Sequence, residues 1–236
     1  MRARTYTHSL NIDLPRPRRA REERTPYDAL RPWSAITHGV GAGLGVVGTL
    51  YLLLSAAMAG AWLKVVLFAV YGASMICLYT ASTLYHCLRT GVPGRLALRK
   101  YDHCSIYLLI AGSYTPICMT VLEKRVGPPL LIAIWTLAAA GIALTIGKGN
   151  IPRVVSSAIY LVMGWLAVFA IVPIHRALSA GGFFWLLLGG VLYSVGGVLY
   201  ALKWPGRNNP RFGCHEIFHV FIVLGSVCHF VVMCSL

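Results

Sequence analysis

Long, uninterrupted apolar segments constrain this chain more than any other feature of its sequence. Most of them have the roughly 17–25 residues that a helix needs to cross a bilayer. A membrane β-barrel would instead show short strands of alternating polarity, and the sequence has no such alternation. With 57% hydrophobic and 12% charged residues, the chain is less charged than a typical soluble domain. We therefore predict an all-α membrane protein with seven transmembrane helices, over residues 35–59, 62–88, 105–121, 128–146, 154–174, 183–202 and 217–236.

The distribution of basic residues predicts how these helices are oriented. If successive segments alternate in direction, 17 of the 21 Lys and Arg residues fall on one side of the membrane and four on the other. Positively charged loops stay in the cytoplasm, so we predict a cytoplasmic N-terminus and an external C-terminus. One of the cytoplasmic loops is predicted over residues 89–100, with Pro93 and Gly94 as its turn. This topology accounts for the net charge of +14 without a nucleic acid partner.

Residues 1–31 differ in composition from the rest of the chain. They hold eight of the basic residues among prolines and a few acids, with almost no aliphatic run, so they cannot bury a core. We predict a disordered basic cytoplasmic tail over residues 1–31 and a seven-helix transmembrane domain over residues 32–236. The tail serves either as a solvated topology signal or as a contact for anionic lipid headgroups.

Two histidines near the end of the chain have the spacing of metal ligands. His215 and His219 are four residues apart, so on a helix they share one face, with Cβ atoms roughly 6 Å apart. His86, at the end of the second segment, is predicted to lie at the same cytoplasmic end of the bundle. Three neutral imidazoles with an open fourth position are typical of a catalytic zinc site. We therefore predict that His86, His215 and His219 bind Zn²⁺.

Asp102 and Ser82 are the candidate catalytic residues. An ionisable group at membrane depth is costly and indicates function, and Asp102 is predicted at the same end of the bundle as the histidines. It would accept a hydrogen bond from the water at the zinc or act as a general base. Ser82, one turn before His86, would donate a hydrogen bond to a substrate carbonyl oxygen or to the water.

Other residues at this level leave alternatives open. Asp102 could instead cap the third helix or pair with Arg99 or Lys100. Glu216 is interpreted as a helix cap or first-turn acid. The seven cysteines show no paired spacing, which favours free thiols over a disulfide framework. Residues that could support the site, or join it as further zinc ligands, are His38, His103, Cys87, Cys104 and Cys214.

Several motifs occur in chain order across the membrane domain: Ser82-x-x-x-His86, Tyr101-Asp102-His103-Cys104, Tyr160-Leu161-Val162-Met163-Gly164-Trp165 and His215-x-x-x-His219. From about Thr37 to the C-terminus, the chain resembles the hemolysin III branch of the progestin and adipoQ receptor superfamily. The resemblance implies seven helices, a cytoplasmic N-terminus, three zinc-binding histidines, and Asp102 and Ser82 in the same site. Bacterial members commonly carry Glu and Asn where this chain has Arg31 and Ser34, and Ser is usual at Cys104.

Two functions are compatible with these features, and a third is disfavoured. The first is a zinc-dependent hydrolase of the cell membrane, related by resemblance to alkaline ceramidases, that cleaves an amide or ester of a lipid at the cytoplasmic side. Its partners are then membrane lipids and a lipid-like substrate. The alternative is a non-enzymatic receptor or regulator of membrane lipid homeostasis, in which zinc is structural. A cytolytic pore is disfavoured because the segments carry no polar stripe to line a channel.

Overall fold

The computed structural model describes residues 30–147, 152–206, 209 and 211–236. In these residues every regular element is helical, as predicted. Residues 1–29, most of the predicted tail, lie outside the described residues. The α-helices are α1 (Pro32–Met58), α2 (Trp62–Cys87), α3 (Val92–Thr120), α4 (Gly127–Ile146), α5 (Arg153–Trp165), α6 (Ile171–Ala177), α7 (Ala180–Leu202) and α8 (Cys214–Cys234).

Six helical stretches are long and apolar enough to cross a membrane. They are α1, α2, α4, α7, α8 and the stretch Val154–Ala177, which contains most of α5 and all of α6. Large apolar side chains such as Val47, Leu54 and Ile132 are exposed on the outside of the bundle, as expected for a surface in contact with lipid. The chain is therefore a multi-pass integral membrane protein.

Helix α3 has 29 residues but is not among the six apolar stretches. The polar residues that lower its hydropathy include Ser105, Ser113 and Thr115, and all three are buried. Inside a bundle a hydroxyl can satisfy itself by bonding to a carbonyl one turn earlier, as Ser113 does with Leu109. Part of the polarity of α3 thus lies in buried hydroxyls, and the rest lies in charged residues near its start, among them the exposed Arg99 and Lys100.

The predicted loop over residues 89–100 is too long, because α2 ends at Cys87 and α3 begins at Val92, which leaves residues 88–91 as the connection. Pro93 lies in the first turn of the helix, where its missing N–H would have had no partner in any case. Pro93 therefore starts a helix here and does not form a turn between two helices. As a further consequence, Asp102 lies well inside α3, and the alternative that it caps this helix is wrong.

The fifth predicted segment is interrupted. α5 ends at Trp165, a 3₁₀ turn covers Leu166–Ala170, and α6 begins at Ile171. Pro173 supplies the physical reason, since a proline ring inside a helix clashes with the carbonyl four residues earlier, here that of Phe169. Because residues 166–170 form a tighter 3₁₀ turn, the Phe169 carbonyl does not take the α-helical position in which this clash would occur.

The helices form a closed arrangement. α1 packs against α2, α2 against α3, α3 against α4, and α7 against α8, while α8 also packs against α1. α5 bridges part of the gap between α3 and α7. Glycines allow the closest approaches, because a Cβ at Gly72 would collide with the Thr49 side chain, and one at Gly112 with that of Ser74. This closure brings the start of α8 beside the start of α1 and the end of α2.

Candidate metal centre

Three histidines from two helices meet at one end of the bundle. His86 lies in the last turn of α2, while His215 and His219 lie in the first two turns of α8. The Nε2 atoms of His86 and His215 are 3.1 Å apart, and one ring nitrogen from each of the three lies within 4.8 Å of the others. His86 and His219 are buried, and His215 is half-buried. The structure thus brings together the three histidines that were predicted as ligands.

A hydrogen bond prepares the His219 ring for metal binding. Its Nδ1 lies 3.2 Å from the main-chain carbonyl oxygen of Ser34 on α1. A carbonyl oxygen can only accept a hydrogen bond, so Nδ1 carries the proton and Nε2 keeps its lone pair. A ligand histidine whose other nitrogen donates to a backbone carbonyl is a common arrangement in metal sites.

The donor set, and the one separation between ring nitrogens that is short, suit an ion such as zinc. Zinc binds imidazole nitrogen at about 2.0–2.1 Å, so two tetrahedral ligands lie roughly 3.3 Å apart. The 3.1 Å between the Nε2 atoms of His86 and His215 is close to this value. All seven cysteines are free, and within the described part of the chain none joins the group that could hold an ion.

Asp102 and Ser82 line the same cavity as the three histidines. Asp102 lies on α3, and its Oδ2 is 3.4 Å from Nδ1 of the adjacent His103. The expected alternative partner Lys100 instead donates to the carbonyl of Ile146. Ser82 is buried on α2, one turn before His86. Both candidate catalytic residues therefore line the cavity that the histidine group also lines.

This cavity is long and changes character along its length. Its volume is about 710 Å³. Asp102 and Cys118 both line it, and at 1.5 Å per residue these positions on α3 are roughly 24 Å apart. Its far end is lined by apolar side chains such as Leu122, Leu130 and Ile174. The cations among its lining residues are Arg31, Arg95, Arg99 and Lys203.

His38, considered from sequence as a supporting residue or a further ligand, contacts the group by stacking. Its ring lies parallel to that of His219, with ring centroids 3.7 Å apart and 15° between the planes. The ring edge of Tyr79 packs against it at 5.0 Å. His38 is 2% exposed. It lies outside the group of three whose nitrogens converge.

Sequence reasoning missed a set of contacts made by α1. Arg31, counted with the tail, donates from its guanidinium to Oε1 of Glu216 at 3.0 Å. The Ser34 hydroxyl donates to the same oxygen, also at 3.0 Å. Glu216 is the predicted cap of α8, because its Oε2 accepts from the Gly213 N–H at 2.9 Å. A carboxylate at the membrane edge needs a partner, and this requirement was the signal that could have pointed to Arg31.

The fold and the site together define a class: multi-pass helical membrane proteins with a three-histidine group that could hold a metal ion at one end of the bundle. Within this class the chain belongs to the hemolysin III family, since residues 31–230 match the family described as Haemolysin-III related.

Individual relatives agree with this assignment. The chain is similar to the Hemolysin-3 homolog of Bacillus subtilis, with 40% identity over 197 residues, covering 84% of this chain and 89% of the relative. It is equally similar to Hemolysin-3 of Bacillus cereus, at 40% identity over 197 residues, covering 84% and 87% of the two chains. The ADIPOR-like receptor IZH2 of Saccharomyces cerevisiae is 28% identical over 180 residues, covering 67% of this chain and 55% of that protein.

Proposed function

We propose that this protein is a zinc-dependent membrane hydrolase that cleaves an amide or ester bond of a membrane lipid. The observation that carries the proposal is the convergence of His86, His215 and His219 at the polar end of a long cavity. A polar reaction centre joined to an apolar channel suits a substrate with a polar linkage and a long aliphatic chain.

The residues of the chain have separate roles in this proposal. His86, His215 and His219 would hold zinc, which when bound supplies a Lewis acid that polarises a carbonyl oxygen and activates water. Asp102 holds or accepts the proton of the attacking water as general base. Ser82 donates a hydrogen bond to the carbonyl oxygen of the scissile bond.

The apolar part of the cavity binds the aliphatic chain of the substrate. Leu122, Leu130 and Ile174 line this part. A lipid chain that enters it from the bilayer exchanges one apolar environment for another, so van der Waals packing against these side chains would hold it. Binding of the aliphatic chain would fix the distance between the scissile bond and the histidine group. Water would be excluded from the aliphatic part but not from the polar end.

The proposal includes a topology. α3 would also cross the membrane, which brings the number of membrane-crossing segments to seven. The N-terminus would lie in the cytoplasm, and Leu236 would lie outside. The excess of Lys and Arg at the end of the bundle that carries the histidines supports this orientation. The reaction would then take place at the cytoplasmic side, and labelling of Leu236 from the cytosol would contradict it.

A receptor or regulator with structural zinc is the second candidate. The burial of His86 and His219, at 3% and 2% exposure, favours it, because structural zinc sites are closed. The yeast relative is also named as a receptor. In this case the metal would hold α2 and α8 together, and Asp102 would have no role in lipid turnover.

One experiment separates the two candidates. Full-length protein is placed in nanodiscs made from a bacterial lipid extract, and bound zinc and lipid products are measured by mass spectrometry. We expect one zinc per chain and hydrolysed lipid from the wild type. Asp102→Asn should keep its zinc and lose about 100-fold or more of the product formation, the usual contribution of a general base.

Glu123→Gln is the matched control. It makes the same chemical change at an exposed position at the other end of the bundle, so zinc and products should both be unchanged. Equal products from the wild type and Asp102→Asn, with zinc retained, would favour the receptor. A wild-type protein that takes up no zinc would overturn both candidates.

A further inference from the structure

Helix α1 supplies none of the three converging histidines, yet its first turns contact both helices that do. Arg31, just before the helix, and Ser34 and His38 within it are three and four residues apart, so they follow one face. This face meets α8 at Glu216 and His219. The contacts join positions 182 to 185 residues apart in sequence.

Arg31 links the ends of α2 and α8. Its main-chain N–H donates to the carbonyl oxygen of His86 at 3.1 Å. Its guanidinium donates to Oε1 of Glu216 at 3.0 Å, and Glu216 lies between His215 and His219 in sequence. One residue therefore bonds to the backbone of one histidine and to the immediate neighbour of another.

Ser34 uses both of its oxygens. The hydroxyl donates to Oε1 of Glu216 at 3.0 Å, and the main-chain carbonyl accepts from Nδ1 of His219 at 3.2 Å. The first bond fixes the start of α8 relative to α1. The second fixes the rotation of the His219 ring, because the ring must keep Nδ1 directed at this carbonyl.

Glu216 is more than a helix cap. It is 1% exposed and accepts from Gly213, Arg31 and Ser34. Capping α8 requires only the bond from the Gly213 N–H. The two additional donors come from α1 and its leading residue, and they tie α8 to that region.

We propose that Arg31, Ser34 and Glu216 form a positioning network that holds the backbone of His86 and the ring of His219 in place, so that α1 and its leading residue control the zinc affinity. This inference rests on the metal site in the proposed function. None of the three belongs to the histidine group that could hold the ion. They act by holding the two ligand residues where the ion requires them, as groups that bond to metal ligands commonly do.

The test measures zinc affinity by competition with a chelator, using full-length protein in nanodiscs. Arg31→Ala and Ser34→Ala each keep the main-chain bond to a ligand histidine but remove a side-chain bond to Glu216. We expect each to weaken zinc binding roughly 10-fold, because Glu216 then no longer holds the start of α8 against α1. Arg31→Lys, which keeps a cation for Glu216, should recover part of the affinity. Arg89→Ala is the matched control, because Arg89 is exposed three residues after His86, and its affinity should equal that of the wild type.

A second readout separates positioning from general stability. Melting temperatures are recorded without zinc and at one fixed zinc concentration, because the zinc-induced rise depends on affinity. Arg31→Ala should show a smaller zinc-induced rise in melting temperature than Arg89→Ala. When Co²⁺ replaces zinc in Arg31→Ala, the visible absorption spectrum should differ from that of the wild type with Co²⁺. A lower melting temperature without zinc, combined with unchanged affinity and an unchanged Co²⁺ spectrum, would overturn the network.

The outcomes also distinguish this inference from the proposed function. If the wild type binds zinc tightly and both alanine variants bind it equally well, the positioning network is wrong and the metal site stands. If the wild type binds no zinc, the metal site itself is wrong, and the network loses its role with it.

Discussion

Helix α8 carries two inward-facing histidines whose surroundings differ, His219 near its start and His229 ten residues further on. His219 receives neighbours from two other helices: His86 from α2, and the Ser34 carbonyl and His38 ring from α1. His229 packs instead against Gly189 and the ring of Tyr193 on α7. The difference shows that a histidine facing the interior of a helical bundle becomes a candidate ligand when other helices bring matching nitrogens to it, and otherwise serves packing.

The largest expected effect comes from removing His219, and removing His229 provides the comparison. His219→Ala should weaken zinc binding by more than ~100-fold, since it leaves two of three ligands. His229→Ala should leave the affinity within about 2-fold of the wild type, because at 1.5 Å per residue it lies roughly 15 Å from His219 along the helix. Chelator competition measures both. Full zinc binding by His219→Ala would contradict the difference between the two histidines, because His219 would then not be a ligand.

A smaller effect is expected at the packing end of α8. A Cβ added at Gly189 would lie 2.7 Å from Nε2 of His229 and 3.2 Å from the Cys228 side chain. Gly189→Ala should therefore destabilise the fold by about 1–3 kcal/mol, the usual cost of overpacking, while zinc affinity stays unchanged. Unfolding in nanodiscs or detergent measures the first quantity and chelator competition the second.

Gly190→Ala is the control for this prediction. No atom lies within 4 Å of a Cβ added at Gly190, so this variant should unfold like the wild type. Reduced zinc affinity in Gly189→Ala would contradict the separation between the two ends of α8, because it would couple His229 to the metal group.

The smallest effect is expected at the ring stacked on His219. His38→Ala removes the stack and should weaken zinc binding by about 2- to 10-fold, the equivalent of one aromatic contact. His38→Phe keeps a flat ring at the same position and should stay within about 2-fold of the wild type. If both variants lose the same affinity, the ring nitrogens of His38 matter more than its stacking.

The histidine group could be predicted from sequence because its signals are local or follow from topology. The four-residue spacing of His215 and His219 requires only that α8 is a helix, and the alternation of apolar segments assigns His86 to the same end. Neither step requires knowing which helices pack together: the first uses the spacing within one helix, and the second uses the order of the segments. The same reasoning predicted the capping role of Glu216, which the structure confirms.

The contacts of α1 could not be predicted in this way. Arg31 and Glu216 are 185 residues apart, and their pairing depends on the closure of α8 onto α1, which no local pattern specifies. The start of α3 was also missed, since Pro93 and Gly94 suit a turn as well as the first turn of a helix. The break before α6 follows from Pro173, but its exact residues depend on how the neighbouring helices pack.

The closure of α8 onto α1 has a consequence for biosynthesis. Because translation runs from the N-terminus, α1 and α2 are made before α8, which carries His215 and His219. A chain interrupted before residue 214 contains a single histidine of the three, so it has no site to load. If the proposed function is right, an ion can be held only after α8 has packed against α1 and α2, and it would then join helices made early in synthesis to one made much later.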